Sequence, residues 1–191
     1  HFERHVRPQV MFVGMTQYDQ DDEIPAEYLV GTPGVDDPFG KRILEIGLKQ
    51  FRLSETQKYP HVTFFYNGGY REPLDSSMEN YHLIESDKIP SFASQPGMKA
   101  GEISNKAVEF IRSGEYQYGL INFANADMVG HTGDFQAALN AVETVDVALN
   151  SIVRAISEMK GLLVITADHG NADQMLIKNC NGAMEINTKH S

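Results

Sequence analysis

Asp127 and His131 stand four residues apart in NADMVGHTG, and Asp168 and His169 stand side by side in TADHGN. Carboxylate oxygens and imidazole nitrogens are the donors that hold hard and borderline divalent ions. On the first turn of a helix a spacing of four puts Asp127 and His131 on one face, where they could grip one ion. The second pair follows the apolar run 162–165, which reads as a buried strand, and the first pair follows 119–123 (GLINF), which reads as another. Open α/β folds place their sites at the carboxyl edge of the sheet. Two neighbouring parallel strands, each delivering an Asp and a His to that edge, would gather four ligands. Each pair alone has a plain alternative: Asp127 as a helix N-cap, and Asp168 with His169 as turn residues before Gly170. Their joint arrangement favours the metal site. His190, taken alone, reads as an exposed histidine near the end of the sequence.

The elements that would carry these residues follow from apolar periodicity. Strands are expected at 10–15 (VMFVGM, buried), 51–53, within 81–85, at 119–123 and at 162–165. Helices are expected over 40–50, as a short piece within 54–69 ended by Asn67, Gly68 and Gly69, over 102–113 with Gly114 as its stop, and over 135–156. The last has Phe135, Leu139, Val142, Val145, Leu149, Ile152, Val153 and Ile156 at helical spacing. The turn-rich stretch 19–37 reads as a loop. Strand and helix alternate, which predicts an α/β fold: a doubly wound, mainly parallel sheet with helices on both faces, in a single domain.

Composition narrows the partners. The chain has 191 residues, 41% of them apolar, and a formal net charge of −10. An acidic surface does not suit nucleic acid or anionic membrane, and there is no run of eighteen apolar residues. Cys180 is the single cysteine, so no intramolecular disulfide or Cys-based zinc cluster is available, and a cytoplasmic setting is expected. No secretory signal is visible in 1–10. The sequence opens on His1 rather than Met, as a fragment or processed piece would.

NADMVGHTG, TADHGNADQM and the late TKHS, in that order and at those intervals, resemble the cofactor-independent (2,3-bisphosphoglycerate-independent) phosphoglycerate mutases of the alkaline phosphatase superfamily. SETQKYPHVTFFYNGG and MFVGMTQYDQD resemble the eukaryotic and trypanosomatid-like branch of that family. The similarity runs along nearly the whole chain. It implies that Asp127, His131 and His190 hold one divalent ion and that Asp168 and His169 help hold a second, with Mn2+ the expected ion and Co2+, Zn2+ or Mg2+ admissible. It also implies that Lys58, otherwise an unremarked surface lysine, lies near the phosphoryl group being transferred. The implied reaction, in glycolysis and gluconeogenesis, interconverts 3-phosphoglycerate and 2-phosphoglycerate through a phosphoserine in a monomeric parent.

Some parts of the family pattern are not found. The family's nucleophilic serine lies in an NSEVGH-like segment and another metal aspartate in an LDGWG-like strand end; neither occurs here, and Ser54 and Ser104 lack the required context. The resemblance therefore implies that residues 1–191 are the C-terminal segment of an alkaline phosphatase-like domain. The transferase domain is absent, the sheet has an open edge or gap, and the isolated chain is inactive. The alternatives are another phosphomutase or phosphatase of the superfamily, against which SET-x-K and DMVGHTG argue, and a non-catalytic metal-binding fragment.

Overall fold

The computed structural model describes residues 9–17, 24–31 and 34–190, and divides the chain into two compact units, His1–Asp36 and Asp37–Ser191. In the first unit, strand β1 (Gly14–Thr16) pairs in parallel with β2 (Tyr28–Val30). The strand expected at 10–15 is thus displaced, and Val10, Met11, Phe12 and Met15 are exposed rather than buried. Propensity located the strand nearby, but burial needs a facing layer, and this unit provides none for those side chains. β2 falls within the expected loop 19–37, of which 19–23 and 32–33 lie outside the described residues.

The second unit contains the parallel sheet. Helix α1 (Phe39–Glu45) ends at the turn through Gly47, shorter than the expected 40–50. It leads into β3 (Gln50–Glu55), whose six residues are all buried. Helix α2 (Tyr59–Val62), with Pro60 in its first turn, starts the short piece expected within 54–69. Strand β4 (Glu79–Ile84) follows, then a single turn of 3-10 helix (Phe92–Ser94) and helix α3 (Ala100–Ser113). Gly114 closes α3 in the left-handed conformation at φ 67°, where a residue without Cβ is favoured. Strand β5 (Tyr118–Ile121), helix α4 (Asn125–Gly130) and the 24-residue helix α5 (Phe135–Glu158) complete the α/β part.

The sheet order is β4-β3-β5, all parallel. Along β3 the side chains alternate between faces, as pleating demands. Phe51 and Leu53 join Ile84, Ile103, Ala107, Phe110 and Ile152 in the main core. On the other face Gln50 and Arg52 lie against α1 and the 59–69 segment. Gln50 donates to the Gly40 carbonyl at 2.9 Å, and the Arg52 guanidinium lies 4.8 Å from the Tyr66 ring centroid and 5.2 Å from that of Tyr118. Elements therefore cover both faces, as expected of a doubly wound sheet. No described helix is long and apolar enough to cross a membrane.

Helix α5 forms where the periodicity places it, with Asp134 capping its start through a 2.9 Å bond from the Ala137 amide. Its buried side is mainly alanine, Ala137, Ala138, Ala141, Ala148 and Ala155 with Ile152, whereas Phe135, Leu139, Val142 and Val153 are exposed. Small residues let α5 approach its neighbours closely, so they occupy the contact and the bulkier stripe stays outside.

The largest departure is at 162–165. This segment forms no strand, and Leu162, Val164 and Ile165 are 86%, 74% and 61% exposed. Only Leu163 packs against the core. An extended apolar run becomes a strand when a neighbour about 4.8 Å away completes its ladder, and no described strand pairs with it. β5 likewise has β3 on one side and no described strand on the other. Beyond it, a 3-10 turn (Ala172–Gln174) leads to an antiparallel hairpin, β6 (Leu176–Lys178) and β7 (Met184–Ile186), with no counterpart among the expected elements.

The carboxyl end of β3 carries a prediction. The buried Glu55 carboxylate accepts from Ser86 Oγ at 2.8 Å and from the Lys99 amide at 3.4 Å. Burial raises its pKa, against the opposing pull of these bonds and of Lys99. Between the ordinary glutamate value of about 4.3 and the raised folded value, the native state retains a proton that the unfolded chain releases. Stability is therefore lost as pH rises through that window. Glu55→Gln is expected to abolish this loss, so the stability of the variant minus that of wild type should increase from about pH 4 and then level off. Urea denaturation across pH 4 to 8 checks it; a pH-independent difference would remove the assignment.

Candidate metal centre

Sequence places Asp127 in the first turn of α4, directly after β5, and His131 at its C-terminal end. Asp127 is not an N-cap: Ala124 takes that position and no side chain caps the helix. Its Oδ1 lies 3.1 Å from His131 Nε2 and 3.2 Å from His190 Nε2, and the two imidazole nitrogens are 2.9 Å apart. His190 is thus no stray residue despite its partial exposure. The ligand atoms of Asp127, His131 and His190 all lie within 4.8 Å of one another.

The donor set suits a divalent cation. His131 Nδ1 lies 2.7 Å from the Thr188 carbonyl, which can only accept, so Nδ1 carries a proton in either charge state, and the neutral form that binds a metal would present its Nε2 lone pair toward Asp127 and His190. A carbonyl that fixes the ring in this way is the usual outer support of a metal-bound histidine. Lone pairs and a carboxylate crowded together call for positive charge between them.

Lys58 supplies positive charge at the centre. Directly ahead of α2 and only 4% exposed, it places Nζ 2.9 Å from Asp127 Oδ2, 3.1 Å from His169 Nε2 and 3.6 Å from Asp168 Oδ2. The surface-lysine reading is excluded. Burial acts to raise the Asp127 pKa, but hydrogen bonds from Lys58 and Asn171 and the charges of Lys58 and His131 outweigh it, holding the carboxyl below its usual range.

Asp168 and His169 reach the same place without the strand expected to deliver them. The His169 and His190 rings lie 4.1 Å apart, so His190 links the two pairs. Ser54 and Ser104 are directed elsewhere, their hydroxyls donating to the carbonyls of Asn122 at 3.1 Å and Gly101 at 3.3 Å. Sequence reasoning missed Asn171. Its Nδ2 donates to Asp127 Oδ1 at 2.9 Å, and although it is the last letter of TADHGN, nothing in that motif separates it from a turn residue.

A parallel α/β sheet with carboxylates and imidazoles gathered at its carboxyl edge defines a metal-centred enzyme class, and the comparisons agree. The sequence profile of the metalloenzyme superfamily matches residues 27–191, and the chain belongs to that family. Among curated relatives, 2,3-bisphosphoglycerate-independent phosphoglycerate mutase 1 of Arabidopsis thaliana is 42% identical over 181 residues, covering 95% of this chain and 32% of its own length. The 2,3-bisphosphoglycerate-independent phosphoglycerate mutase of Aliivibrio fischeri is 41% identical over 190 residues, covering 100% of this chain and 36% of its own. The crystal structure of Leishmania mexicana phosphoglycerate mutase at low cobalt concentration superimposes with a TM-score of 0.85 at 37% identity, covering all of this chain and 36% of that one. The chain thus spans about a third of the length of the relatives it matches. The resemblance read from the motifs and the α/β fold class are both borne out.

Proposed function

We propose that this chain is the C-terminal, metal-binding segment of a cofactor-independent phosphoglycerate mutase, an isomerase interconverting 3-phosphoglycerate and 2-phosphoglycerate. The observation that carries the reading is the convergence of Asp127, His131, His190, Asp168 and His169 around Lys58. In this reading Asp127, His131 and His190 hold one divalent ion, and Asp168 with His169 contributes to a second, both Mn2+. Such ions would lower the pKa of a bound hydroxyl and neutralise phosphoryl oxygens.

The chain's own residues have separate tasks. Lys58, buried between two carboxylates, presents a fixed cation where a transferring phosphoryl group would accumulate negative charge. Thr188 holds His131 in the tautomer that offers Nε2. The acidic surface makes this local concentration of cations the feature that selects an anionic substrate. The serine that would carry the phosphoryl group, and the groups that would reorient glycerate, belong to the remaining length of the relatives. We therefore assign the isolated chain ion binding without turnover, and the parent to the cytoplasm.

Titration calorimetry with Mn2+ tests the reading. Replacing both Asp168→Ala and His169→Ala is expected to weaken or remove one class of site, and equal affinity in wild type and variant would remove these residues from the centre. A contaminant-free 191-residue chain that interconverts the phosphoglycerates with Mn2+ would overturn the assignment of turnover to the longer protein.

A further inference from the structure

We propose that Asn171 is a positioning residue that fixes the Asp127 carboxylate and fastens the Asp168–His169 segment to α4, and that residue 130 is glycine in order to seat it. The inference rests on the metal reading above. Asn171 is 4% exposed. Its Nδ2 donates to Asp127 Oδ1 at 2.9 Å and, more weakly, to the Asp127 carbonyl at 3.4 Å. Both partners are acceptors, so the amide can face only one way. With Lys58 holding Oδ2 at 2.9 Å, the carboxylate is gripped at both oxygens and cannot rotate. Oδ1 is directed at His131 and His190 and keeps acceptor capacity for an ion.

The second, independent observation is steric. Asn171 Oδ1 has no hydrogen-bond partner among the described residues, a cost that a side chain kept only for stability would avoid. It lies against Gly130: a Cβ there would fall 2.4 Å from Oδ1 and 3.0 Å from Cγ. Gly130 is the last residue of α4 and has no positive φ, so its conformation does not require glycine. Space for the Asn171 amide is what requires it.

Asn171 also follows His169 by two residues. The chain ahead of Asp168 is not paired into the sheet, so the bond to Asp127 fixes the separation of the two Asp/His pairs.

Calorimetry and Mn2+ electron paramagnetic resonance on the 191-residue chain provide the test. Asn171→Ala is expected to lower Mn2+ affinity by roughly 10- to 100-fold, the effect of losing an outer partner of a ligand. Gly130→Ala should do the same and broaden the same signal, although every ligand and Asn171 itself remain. Ile152→Val, a core change far from these contacts in the sequence, controls for stability: it should lower the thermal midpoint and leave affinity unchanged. Wild-type affinity in Asn171→Ala or Gly130→Ala overturns the proposal, as does an equal loss in Ile152→Val. Wild type that takes up no Mn2+ overturns the metal reading and the inference with it.

Discussion

Asp127→Ala is expected to abolish Mn2+ uptake at the Asp127–His131–His190 position and to destabilise the chain by about 3 kcal/mol. Affinity should fall further than the roughly 10- to 100-fold typical of an outer partner, because on the proposed reading a ligand itself is lost. The stability effect has a different origin. Lys58 is buried, and Asp127 is its nearest carboxylate; without it an ammonium remains in a poorly solvated position. Asp168, at 3.6 Å and partly exposed, compensates in part, which places the effect near the low end for a broken buried pair. The double variant Lys58→Met with Asp127→Ala separates the two effects. It should recover most of the stability, since no uncompensated charge is left, and none of the ion binding. A double variant no more stable than Asp127→Ala alone would show that Lys58 and Asp127 are not a coupled pair.

The second large effect lies in the core. A Cβ on Gly119 would sit 2.3 Å from Phe51 Cζ. The ring has nowhere to retreat, being packed against Phe110 at 5.0 Å and Tyr116 at 5.5 Å between centroids. Gly119→Ala should therefore cost about 1–3 kcal/mol by overpacking. Phe51→Ala should cost about 3–5 kcal/mol through lost burial and the cavity left behind. In the double variant the alanine at 119 enters the space that the ring vacated, so the two penalties should fall short of their sum by more than about 1 kcal/mol. Additive penalties in denaturant melts would mean that the strand backbones, not the ring, set this contact.

These two sites also show what could be read from sequence. The Asp127–His131 spacing encodes a shared helix face whatever the tertiary context, and the structure has that face. The short strand at 51–53, which extends over Gln50–Glu55, and the Gly114 stop both hold. Lys58 had no local signature; only the resemblance separated it from other lysines. The run 162–165 failed because its β-propensity is conditional on a partner strand, and that condition lies outside the segment. The hairpin β6–β7 had a usable sign in Asn181-Gly182, a turn pair that favours tight hairpins, with Gly182 at φ 80°, but its strands are only three residues each. Asn171 was invisible for another reason: a buried amide that orients a carboxylate has no periodicity and no charge to mark it.

On the proposed metal reading, the unpaired stretch ahead of Asp168 would make ion capture there partly an ordering event. Residues 162–167 donate no backbone hydrogen bond to any described residue, so their amides should exchange with deuterium near intrinsic rates while those of β3 remain protected. An ion held by Asp168 and His169 as proposed would then have to offset the entropy of immobilising this tether, on the order of 1–2 kcal/mol for each residue fixed. The two Asp/His pairs need not bind alike even with similar donors. The pair on α4 starts from a rigid support, whereas the other, approached through six unpaired residues and held to α4 on its far side by Asn171, would also pay for ordering that approach.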